Sequence, residues 1–551
     1  MAGAGLLWAV LHYKLPAVWL LLPLLSFFAV AVYHSRVLER RAAAERAVAF
    51  YQRGMARLED RWAGTGQTGD RFTDPHHVYS GDLDLFGRGG LFELLSLART
   101  RMGEDTLASW LLSPSPVDVI RERQAAVSEL RESLDLREDL AVTGEVANVR
   151  VHGEALAAWA ESAGSLNQSW LRPVALLLAL LALGGAVVWG VYGTLAPMAL
   201  IIVIEGVIWY RLRSRLDSAM HGAEHAFQDL DLVSSLLQRV ERESHQSPLL
   251  GRLHQELSSH HVAASAAIAK LRSIVQFIDS RDNVLVKALD IPMMYSVQVG
   301  ISADRWRRAH GHAVARWLSV LGEFEALLSL AAYAFEHPAD TWPEFASGTA
   351  RLEAARLGHP LLPAATCVRN DLAVGGETRV LLVSGSNMSG KSTMLRAVGI
   401  NTVLAMAGAP VRAEKMTLTP LQVGASIRVN DSLQEGSSRF YTEITRLRKL
   451  LDLTRESLPL LFLLDEVLQG TNSHDRLIGA EGILRGYVER GAIGMVTTHD
   501  LALTGIDAQA RNVHFQDEFL EVQIHFDYIL RPGVVTKSTG LELMRSVGLD
   551  V

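Results

Sequence analysis

The residues of this chain best suited to chemistry lie in a glycine-containing loop at positions 385–392. An apolar run at 380–383 predicts a buried strand before the loop, and a helical pattern follows from Thr393. The spacing Gly-x-x-x-x-Gly-Lys-Ser lets backbone N–H groups surround phosphate oxygens beside the positive end of a helix. Lys391 is suited to the β- and γ-phosphates of ATP, and the Ser392 hydroxyl to Mg²⁺. The residues predicted to contact the nucleotide are Gly385, Ser386, Asn387, Met388, Ser389, Gly390, Lys391, Ser392 and Thr393.

Two carboxylates follow another apolar run, at 460–464, downstream of this phosphate-binding loop. Asp465 is suited to a direct or indirect contact with Mg²⁺, and Glu466 to the base that polarises an attacking water. A third apolar run, at 494–497, leads to His499, which could hydrogen-bond the γ-phosphate or that water. In this order the motifs predict an ABC-type P-loop ATPase. The predicted catalytic residues are Lys391, Glu466 and His499, and the predicted Mg²⁺ ligands are Ser392 and Asp465.

Composition limits the classes of protein that this chain can be. Its 551 residues are enough for roughly three or four domains. A hydrophobic content of 49% is slightly high for a soluble protein, and a net charge of −7 offers no global argument for nucleic-acid binding. The single cysteine, Cys367, excludes an internal disulfide framework and a multi-cysteine zinc site.

The first apolar segment, residues 15–33, is long enough to cross a bilayer as a helix. A cleaved secretory signal is the competing interpretation, because residues 29–31 (Ala-Val-Ala) resemble a cleavage site. Only Lys14 is basic in the preceding stretch, and export would separate the ATPase from its ATP. We therefore predict an uncleaved anchor. The arginines that follow it place the next region in the cytoplasm: Arg36, Arg40, Arg41 and Arg46.

Two further apolar runs, 174–192 and 195–210, are separated by an uncharged turn. Both outer flanks are basic, with Arg172 before the pair and three arginines at 211–215 after it. This distribution predicts a transmembrane hairpin with both ends in the cytoplasm, and the alternative is a buried hairpin in a soluble core. Glu205, inside the second run, is a candidate functional carboxylate or a residue with a structural role.

The remaining N-terminal sequence shows helical rather than strand periodicity. Its histidines, including adjacent His260 and His261, do not form a metal cluster and are interpreted as solvated helix faces. The predicted fold is α plus α/β, with transmembrane helices, a helical part and a C-terminal ATPase. The predicted domains are an anchor at 1–35, a helical region at 36–172, a hairpin at 173–211, a helical lever region at 212–350 and the ATPase at 351–551.

The loop GSNMSGKSTMLRAVG resembles the form of this motif found in the MutS family, where Asn-Met precedes the Gly-Lys-Ser-Thr part. The segment VGASIRVNDSLQEGSSRFYTEI is similar to the MutS signature region. The segment LLDEVLQGTNSHD is similar to the family's Walker B motif and D-loop. The tail FDYILRPGVVTKSTGLELMRSVGL resembles the end of its ATPase domain. Upstream, LFELLSLARTRMGEDTLASWLLSPSPVDVIRERQAAV resembles its helical core. The resemblance covers about 85–138 and 357–549. The matching signature positions are Asp431, Leu433, Gly436, Ser438, Phe440 and Glu443.

The resemblance implies a dimer in which Ser438 of one subunit caps the nucleotide bound by the other. It also implies DNA binding, including mismatched or branched DNA as in mismatch repair. We expect this chain to lack the mismatch-reading domain and the C-terminal helix-turn-helix of the family. Cys367 and Val368 stand where relatives place an aromatic residue against adenine, so the sequence supplies no ring at that point.

The predicted function is therefore a membrane-anchored MutS-like ATPase, multi-pass in the plasma or inner membrane, with its ATPase domain in the cytoplasm. The alternative is a membrane-bound mechanical ATPase that acts on protein or lipid partners without binding DNA. An ABC transporter subunit fits less well, because three spans do not build a usual translocation path.

Overall fold

A computed structural model describes residues 21–144, 153–162, 170–224, 230–258, 262–428, 439–505, 509–520 and 523–535, with a few isolated positions besides. Helices dominate the chain up to Glu336, and the described strands follow from Glu344 onwards. The predicted combination of a helical part and an α/β part is present. The helices are α1 (Leu21–Leu58), α2 (Leu91–Leu95), α3 (Arg101–Leu112), α4 (Val117–Leu130), α5 (Leu134–Gly144), α6 (Gly153–Glu161), α7 (Leu171–Tyr192), α8 (Ala196–Glu224), α9 (Leu230–Glu241), α10 (Pro248–Ser258), α11 (Ala264–Asp279), α12 (Val284–Leu289), α13 (Tyr295–Glu336), α14 (Lys391–Ala407), α15 (Arg439–Leu453) and α16 (Ser473–Val488).

Helix α13 organises the helical part. It is 42 residues long and packs against α3, α4, α6, α8 and α11. Most of its large apolar side chains, including Trp317 and Phe324, are buried almost completely. Close approach to α3 depends on small residues, since a Cβ on Gly322 would lie 2.8 Å from the carbonyl oxygen of Met102. The helix therefore connects most of the N-terminal elements into one apolar core.

Three described helices are long and apolar enough to cross a membrane by length and composition, namely α1, α7 and α13. Helix α7 contains the predicted span 174–192, and α1 contains residues 21–33 of the predicted span 15–33, whose residues 15–20 lie outside the described part of the chain. The third predicted span, 195–210, lies in α8, which is not among the three. In α13 the most apolar stretch is 83% buried inside the protein, so its apolar character is explained by the core. Residues 21–58 form one continuous helix, which crosses the predicted boundary between the anchor at 1–35 and the helical region at 36–172.

The α/β part is built on two sheets. Its strands are β1 (Glu344–Phe345), β2 (Arg351–Leu357), β3 (Asn370–Gly375), β4 (Val380–Ser384), β5 (Lys415–Leu418), β6 (Gln422–Ser426), β7 (Leu460–Asp465), β8 (Ile493–Thr498), β9 (Ala510–Leu520) and β10 (Gln523–Pro532). The smaller sheet has the order β1-β5-β2-β3, and the larger has the order β10-β9-β4-β8-β7-β6. In the larger sheet only the β9–β10 pair of these strands is antiparallel.

The register of the larger sheet brings the chemically interesting residues to one edge. Ser384 pairs with Thr498, and Asp465 pairs with Thr497. Strands β4, β7 and β8 are apolar and buried on both faces, which is typical of parallel strands covered by helices. Their carboxyl ends are therefore neighbours, and the loops that leave them face a common space.

Candidate nucleotide site

The predicted strand, loop and helix are present as β4, residues 385–390 and α14. Helix α14 begins at Lys391, two residues earlier than the sequence pattern indicated. Gly390 precedes it with φ of 101°, in the region that favours glycine. The side-chain hydroxyls of Ser386 and Ser389 are buried without a hydrogen-bond partner among the described residues. Such unsatisfied donors next to a helix N-terminus fit a bound anion, so the loop suits the phosphates of ATP.

Lys391 is buried and folds back on its own loop. Its Nζ donates to the carbonyl oxygens of Gly385 (2.9 Å) and Ser386 (2.7 Å) and lies 3.9 Å from Oε1 of Glu466. Burial lowers the pKa of Lys391, whereas the carboxylates of Glu466 and Asp465 act in the opposite direction. Because the ammonium group is already shielded from water, replacing its carbonyl partners with phosphate oxygens requires little further desolvation of Lys391.

Glu466 connects the three predicted catalytic residues. Besides Lys391 Nζ, its Oε1 lies 3.4 Å from Nδ1 of His499, and its Oε2 accepts a hydrogen bond from Gln469. Its backbone has φ of 51°, and its N–H donates to the carbonyl oxygen of Thr497 (3.2 Å). A left-handed backbone at a non-glycine residue is costly and needs such support. This conformation holds the carboxylate at the end of β7, towards the loop.

The two predicted Mg²⁺ ligands lie on different elements of the same edge. Ser392 is in the first turn of α14 and lines the cavity beside the loop. Asp465 ends β7 and accepts a hydrogen bond from the hydroxyl of Thr497. A hydroxyl and a carboxylate are oxygen ligands that Mg²⁺ accepts together with phosphate and water. The described residues contain no group of three or more His, Cys, Asp or Glu side chains that could hold a metal ion, and His260 and His261 lie outside the described residues.

A cavity of about 480 Å³ adjoins the phosphate-binding loop and has the size of a small-ligand site. Cys367 and Val368 line it and, as the sequence suggested, provide no ring. His359 also lines it, and burial lowers the pKa of that histidine to about 4, so the ring is uncharged at neutral pH. Tyr528 supplies an exposed phenol ring, which the sequence analysis did not identify.

Tyr528 is held over the loop by its backbone. Asn370 donates through Nδ2 to the carbonyl oxygen of Tyr528 (3.0 Å) and accepts from the N–H of Leu530 (2.7 Å). A Cβ built on Gly390 would lie 3.1 Å from the ring of Tyr528, so glycine is needed there for space as well as for its φ. The signal in the sequence was only a tyrosine in the tail segment FDYILRP, whose distance from the loop could not be read from spacing.

We expect Tyr528→Ala to weaken ATP binding about tenfold while leaving pyrophosphate binding unchanged, because base stacking is worth roughly 1–3 kcal/mol. Tyr528→Phe retains the ring and is the matched control. Calorimetric titration with both ligands checks this. If Tyr528→Ala weakened ATP binding and pyrophosphate binding equally, Tyr528 would maintain the shape of the loop and would not stack on the base.

Ser438 and the signature positions Asp431, Leu433 and Gly436 lie outside the described residues. The next signature positions are described. Glu443, on α15, is buried and accepts a hydrogen bond from the N–H of Leu468 (2.6 Å), just after Glu466. Phe440 packs against Gly470, where a Cβ would lie 3.0 Å from the Phe440 side chain. The start of α15 is thus attached directly to the segment that carries the predicted base.

A second connection links this part of the site to the helical domain. Asp82 is buried, and its Oδ1 accepts from the backbone N–H groups of Ile427 (2.8 Å) and Arg428 (2.7 Å). Its Oδ2 accepts from the guanidinium of Arg446, on α15 (2.5 Å). Asp84 pairs in turn with the side chain of Arg428 (2.5 Å). These contacts hold the chain on both sides of residues 429–438, and the sequence analysis did not single them out.

We expect Asp82→Ala to destabilise the protein by about 3 kcal/mol, because it leaves the largely buried Arg446 and two N–H groups without their acceptor. Asp452→Ala, which breaks exposed pairs with Arg448 and Arg455, is the control and should cost below about 1 kcal/mol. The midpoint of thermal unfolding and the rate of ATP hydrolysis are measured for both. Equal midpoints would contradict the assigned role of Asp82.

Part of this chain is similar to known proteins. Residues 381–550 match the family model described as MutS domain V. Endonuclease MutS2 of Thermus thermophilus is 34% identical over 249 residues, which are 44% of this chain and 32% of that protein. DNA mismatch repair protein MutS 2 of Halobacterium salinarum is 35% identical over 246 residues, 43% of this chain and 27% of that protein. DNA mismatch repair protein MutS of Thermus caldophilus is 33% identical over 257 residues, 46% of this chain and 30% of that protein.

The chain matches about a third of the length of these curated relatives, so the comparisons concern one part of each of them. The residues matched by the family model include the loop 385–392, both carboxylates at the end of β7 and His499. The matches therefore support a MutS-family protein, in that residues 381–550 are similar to MutS domain V and part of the chain is similar to proteins named MutS and MutS2.

Proposed function

We propose that this chain is a MutS-type ATPase that binds ATP with Mg²⁺ at the loop 385–392 and hydrolyses it. The observation that carries the proposal is that Glu466 contacts both Lys391 and His499 at one edge of the sheet, beside a cavity of about 480 Å³. Mg²⁺, when bound, neutralises charge on the phosphates. Ser392 and Asp465 are the residues that would hold it.

Each side chain has a separate role in this reaction. Lys391 moves its ammonium group from the carbonyls of Gly385 and Ser386 to the phosphate oxygens. Glu466 accepts the proton of the attacking water, and His499 orients the Glu466 carboxylate through their close contact. The buried, apolar strands beneath the site keep these groups in position and limit solvent reorganisation during the reaction.

We further propose a homodimer in which Ser438 reaches the nucleotide of the opposite subunit, and coupling of nucleotide state to DNA binding. Support for DNA binding comes from the relatives named DNA mismatch repair proteins, and support for the role of Ser438 comes from the likeness of residues 423–444 to the MutS signature region. Residues 429–438 stand in the chain between Arg428 and α15, both of which contact Asp82. Through this connection a change of the bound nucleotide can alter the conformation of the helical domain.

The experiment for the DNA proposal measures binding of branched and mismatched duplexes by the purified protein across a salt series, with and without ATP. Affinity that falls with rising salt and changes with ATP is expected, because phosphate contacts release counterions. Undetectable binding at low salt would reject the DNA proposal and favour the second candidate, a mechanical ATPase acting on protein or lipid partners. The net charge of −7 and the apolar helices favour that candidate.

Membrane attachment is also a proposal, carried by exposed apolar side chains. On α1 the side chains of Leu25, Phe27 and Phe28 are 66–70% exposed, and on α7 those of Leu180 and Val187 are 64–65% exposed. A contiguous apolar surface of this kind marks contact with a membrane or a partner. We propose that α1 and the α7–α8 hairpin lie in the plasma or inner membrane, with the ATPase domain in the cytoplasm.

Single cysteines in a Cys367→Ser background test this topology. Thr194→Cys, at the tip of the hairpin, should react with an impermeant maleimide added to intact cells, and Ser244→Cys only after lysis. Thr194 is preferred to Gly193, whose φ of 69° disfavours a side chain. Protection of both positions in intact cells would mean that the hairpin does not cross the membrane.

A further inference from the structure

Helix α1 carries a row of exposed apolar side chains beyond the segment proposed to enter the membrane. In residues 44–58 the exposed apolar positions are Ala44, Val48, Tyr51, Met55 and Leu58, and the last four are 42–55% exposed. Their spacing alternates between four and three residues. This spacing averages 3.5 residues, which is the repeat of the contact line between two helices in a coiled coil. We call these five residues the α1 seam.

The opposite face of α1 attaches the helix to the rest of the helical domain. Phe50 and Arg57 are buried on that face, and α1 packs against α5. The guanidinium of Arg57 donates two hydrogen bonds to the carboxylate of Glu336, on α13, at 2.7 and 2.6 Å. These contacts fix the rotation of α1 about its axis, so the seam is held facing away from the domain.

The length of α1 places the seam beyond the reach of lipids. Tyr33 ends the apolar segment proposed to enter the membrane, and Val48 follows it by about 22 Å at 1.5 Å per residue. Leu58 lies about 37 Å beyond Tyr33 on the same continuous helix. Headgroups extend only roughly 5–8 Å beyond the hydrocarbon. An apolar row at this distance from the bilayer is a contact surface for protein.

The surface beside the seam contains a recess. A cavity of about 620 Å³ is lined by Val48, Tyr51 and Met55 of the seam and, on its other side, by Arg61 and Thr65. In a coiled coil, each side chain of one helix inserts into a hole between side chains of the facing helix. The recess therefore offers space for side chains of a second helix along the seam.

We propose that the α1 seam is the contact between two copies of this chain, whose α1 helices pack in parallel. The parallel orientation rests on the membrane attachment proposed above, because two copies inserted into one membrane present their α1 helices from the same side. A two-fold axis between the helices then brings identical residues of the seam together. This contact requires no nucleotide and is separate from the proposed contact of Ser438.

The charges that flank the seam favour a second copy as the occupant. In a parallel pair, the residue before one seam position lies next to a residue five positions later on the facing helix. Arg40 precedes Arg41, where the seam spacing continues towards the membrane, so Arg40 would face Glu45 of the partner subunit. By symmetry this attraction occurs twice.

Arg41 itself lies on the line of the seam and pairs with Glu45 of its own helix at 2.9 Å. A single polar residue on such a line lowers the stability of the pair but fixes the register of the two helices.

Cross-linking through single cysteines tests the proposal in the purified full chain, in detergent and in a Cys367→Ser background. Without nucleotide and under a mild oxidant, Val48→Cys and Met55→Cys should each form disulfide-linked dimers at least tenfold faster than Val119→Cys. Val119 is an exposed apolar residue on α4 and serves as the matched control. If Val48→Cys and Met55→Cys react no faster than Val119→Cys, the proposal is wrong.

Mixed dimers report the orientation of the two helices. In a parallel pair in register, residues 48 and 55 of opposite subunits are separated by about 10 Å along the axis, too far for a disulfide. Mixing Val48→Cys subunits with Met55→Cys subunits should therefore give mainly the two symmetric products. A mixed disulfide that forms faster than both symmetric ones would indicate antiparallel helices and reject the parallel arrangement.

Two further variants separate this contact from the nucleotide site. Adding Lys391→Ala to the Val48→Cys protein should leave the rate of cross-linking unchanged; a tenfold decrease would show that the contact depends on bound nucleotide. Val48→Glu should raise the dissociation constant of the nucleotide-free dimer at least tenfold in sedimentation measurements, whereas Val119→Glu should not. Both positions are exposed, so neither change should unfold the protein. A Val48→Glu dimer as stable as the wild type would overturn the proposal, whatever its ATPase activity.

Discussion

Replacing Lys391 with alanine is expected to abolish ATP hydrolysis and to weaken ATP binding by about 100-fold or more. The ammonium group is buried, lies within the loop and is the cation nearest to the predicted position of the phosphates. Each hydrogen bond between charged groups is worth roughly 1.5–3 kcal/mol, and Lys391 can donate more than one of them to the β- and γ-phosphates. Phosphate release under steady-state conditions and calorimetric titration with ATP measure the two effects.

The matched control is Lys415→Ala, which removes an exposed lysine from β5 in the same part of the chain. It should leave both quantities unchanged. Lys391→Ala also removes the ammonium group near Glu466, so the unfolding midpoint should be recorded for each variant. If Lys391→Ala hydrolyses ATP at the wild-type rate, the loop 385–392 is not the catalytic phosphate site.

Replacing Glu466 with glutamine should slow hydrolysis by about 10²–10⁴-fold, the usual contribution of a general base, and should leave ATP binding nearly intact. Glutamine keeps the shape of the side chain and its contact with Gln469, but it cannot accept the proton of the attacking water. The backbone N–H of Glu466 would still donate to Thr497, so its position at the end of β7 should persist.

Single-turnover hydrolysis and retention of ATP on a filter distinguish these two effects. Glu489→Gln, at the exposed C-terminal end of α16, controls for the loss of one negative charge. Loss of ATP binding in Glu466→Gln would show that its charge is needed to position Lys391. A normal rate of hydrolysis would remove Glu466 from the role of base.

The local elements of the nucleotide site could be predicted from the sequence alone. The strand β4, the loop and the first turn of α14 are encoded within about fifteen consecutive residues, where apolar runs, glycines and helical spacing act over short distances. The apolar runs before Asp465 and His499 likewise predicted β7 and β8. Because parallel strands present their carboxyl ends at one edge, this local information also predicted that Lys391, Glu466 and His499 would share a site.

Apolar composition alone did not distinguish a core helix from a membrane helix. The long helix α13 meets the criteria of length and composition for a span, and its surroundings in the fold show that it is a core element instead. Burial depends on what packs against a helix, and that information is distributed over α3, α4, α6, α8 and α11. Helices α1 and α7 differ from α13 because many of their apolar side chains are exposed in the folded chain.

The sequence by itself predicted the type of site, because the residues that make a phosphate-binding loop must be contiguous for their backbone N–H groups to converge on one anion. Only the tertiary structure showed which distant residues complete it: Tyr528 and Asn370 beside the loop, and Asp82 beside the start of α15. Such contacts join side chains that are separated by tens to hundreds of residues. They form only when the whole chain packs, and no local sequence pattern encodes that packing.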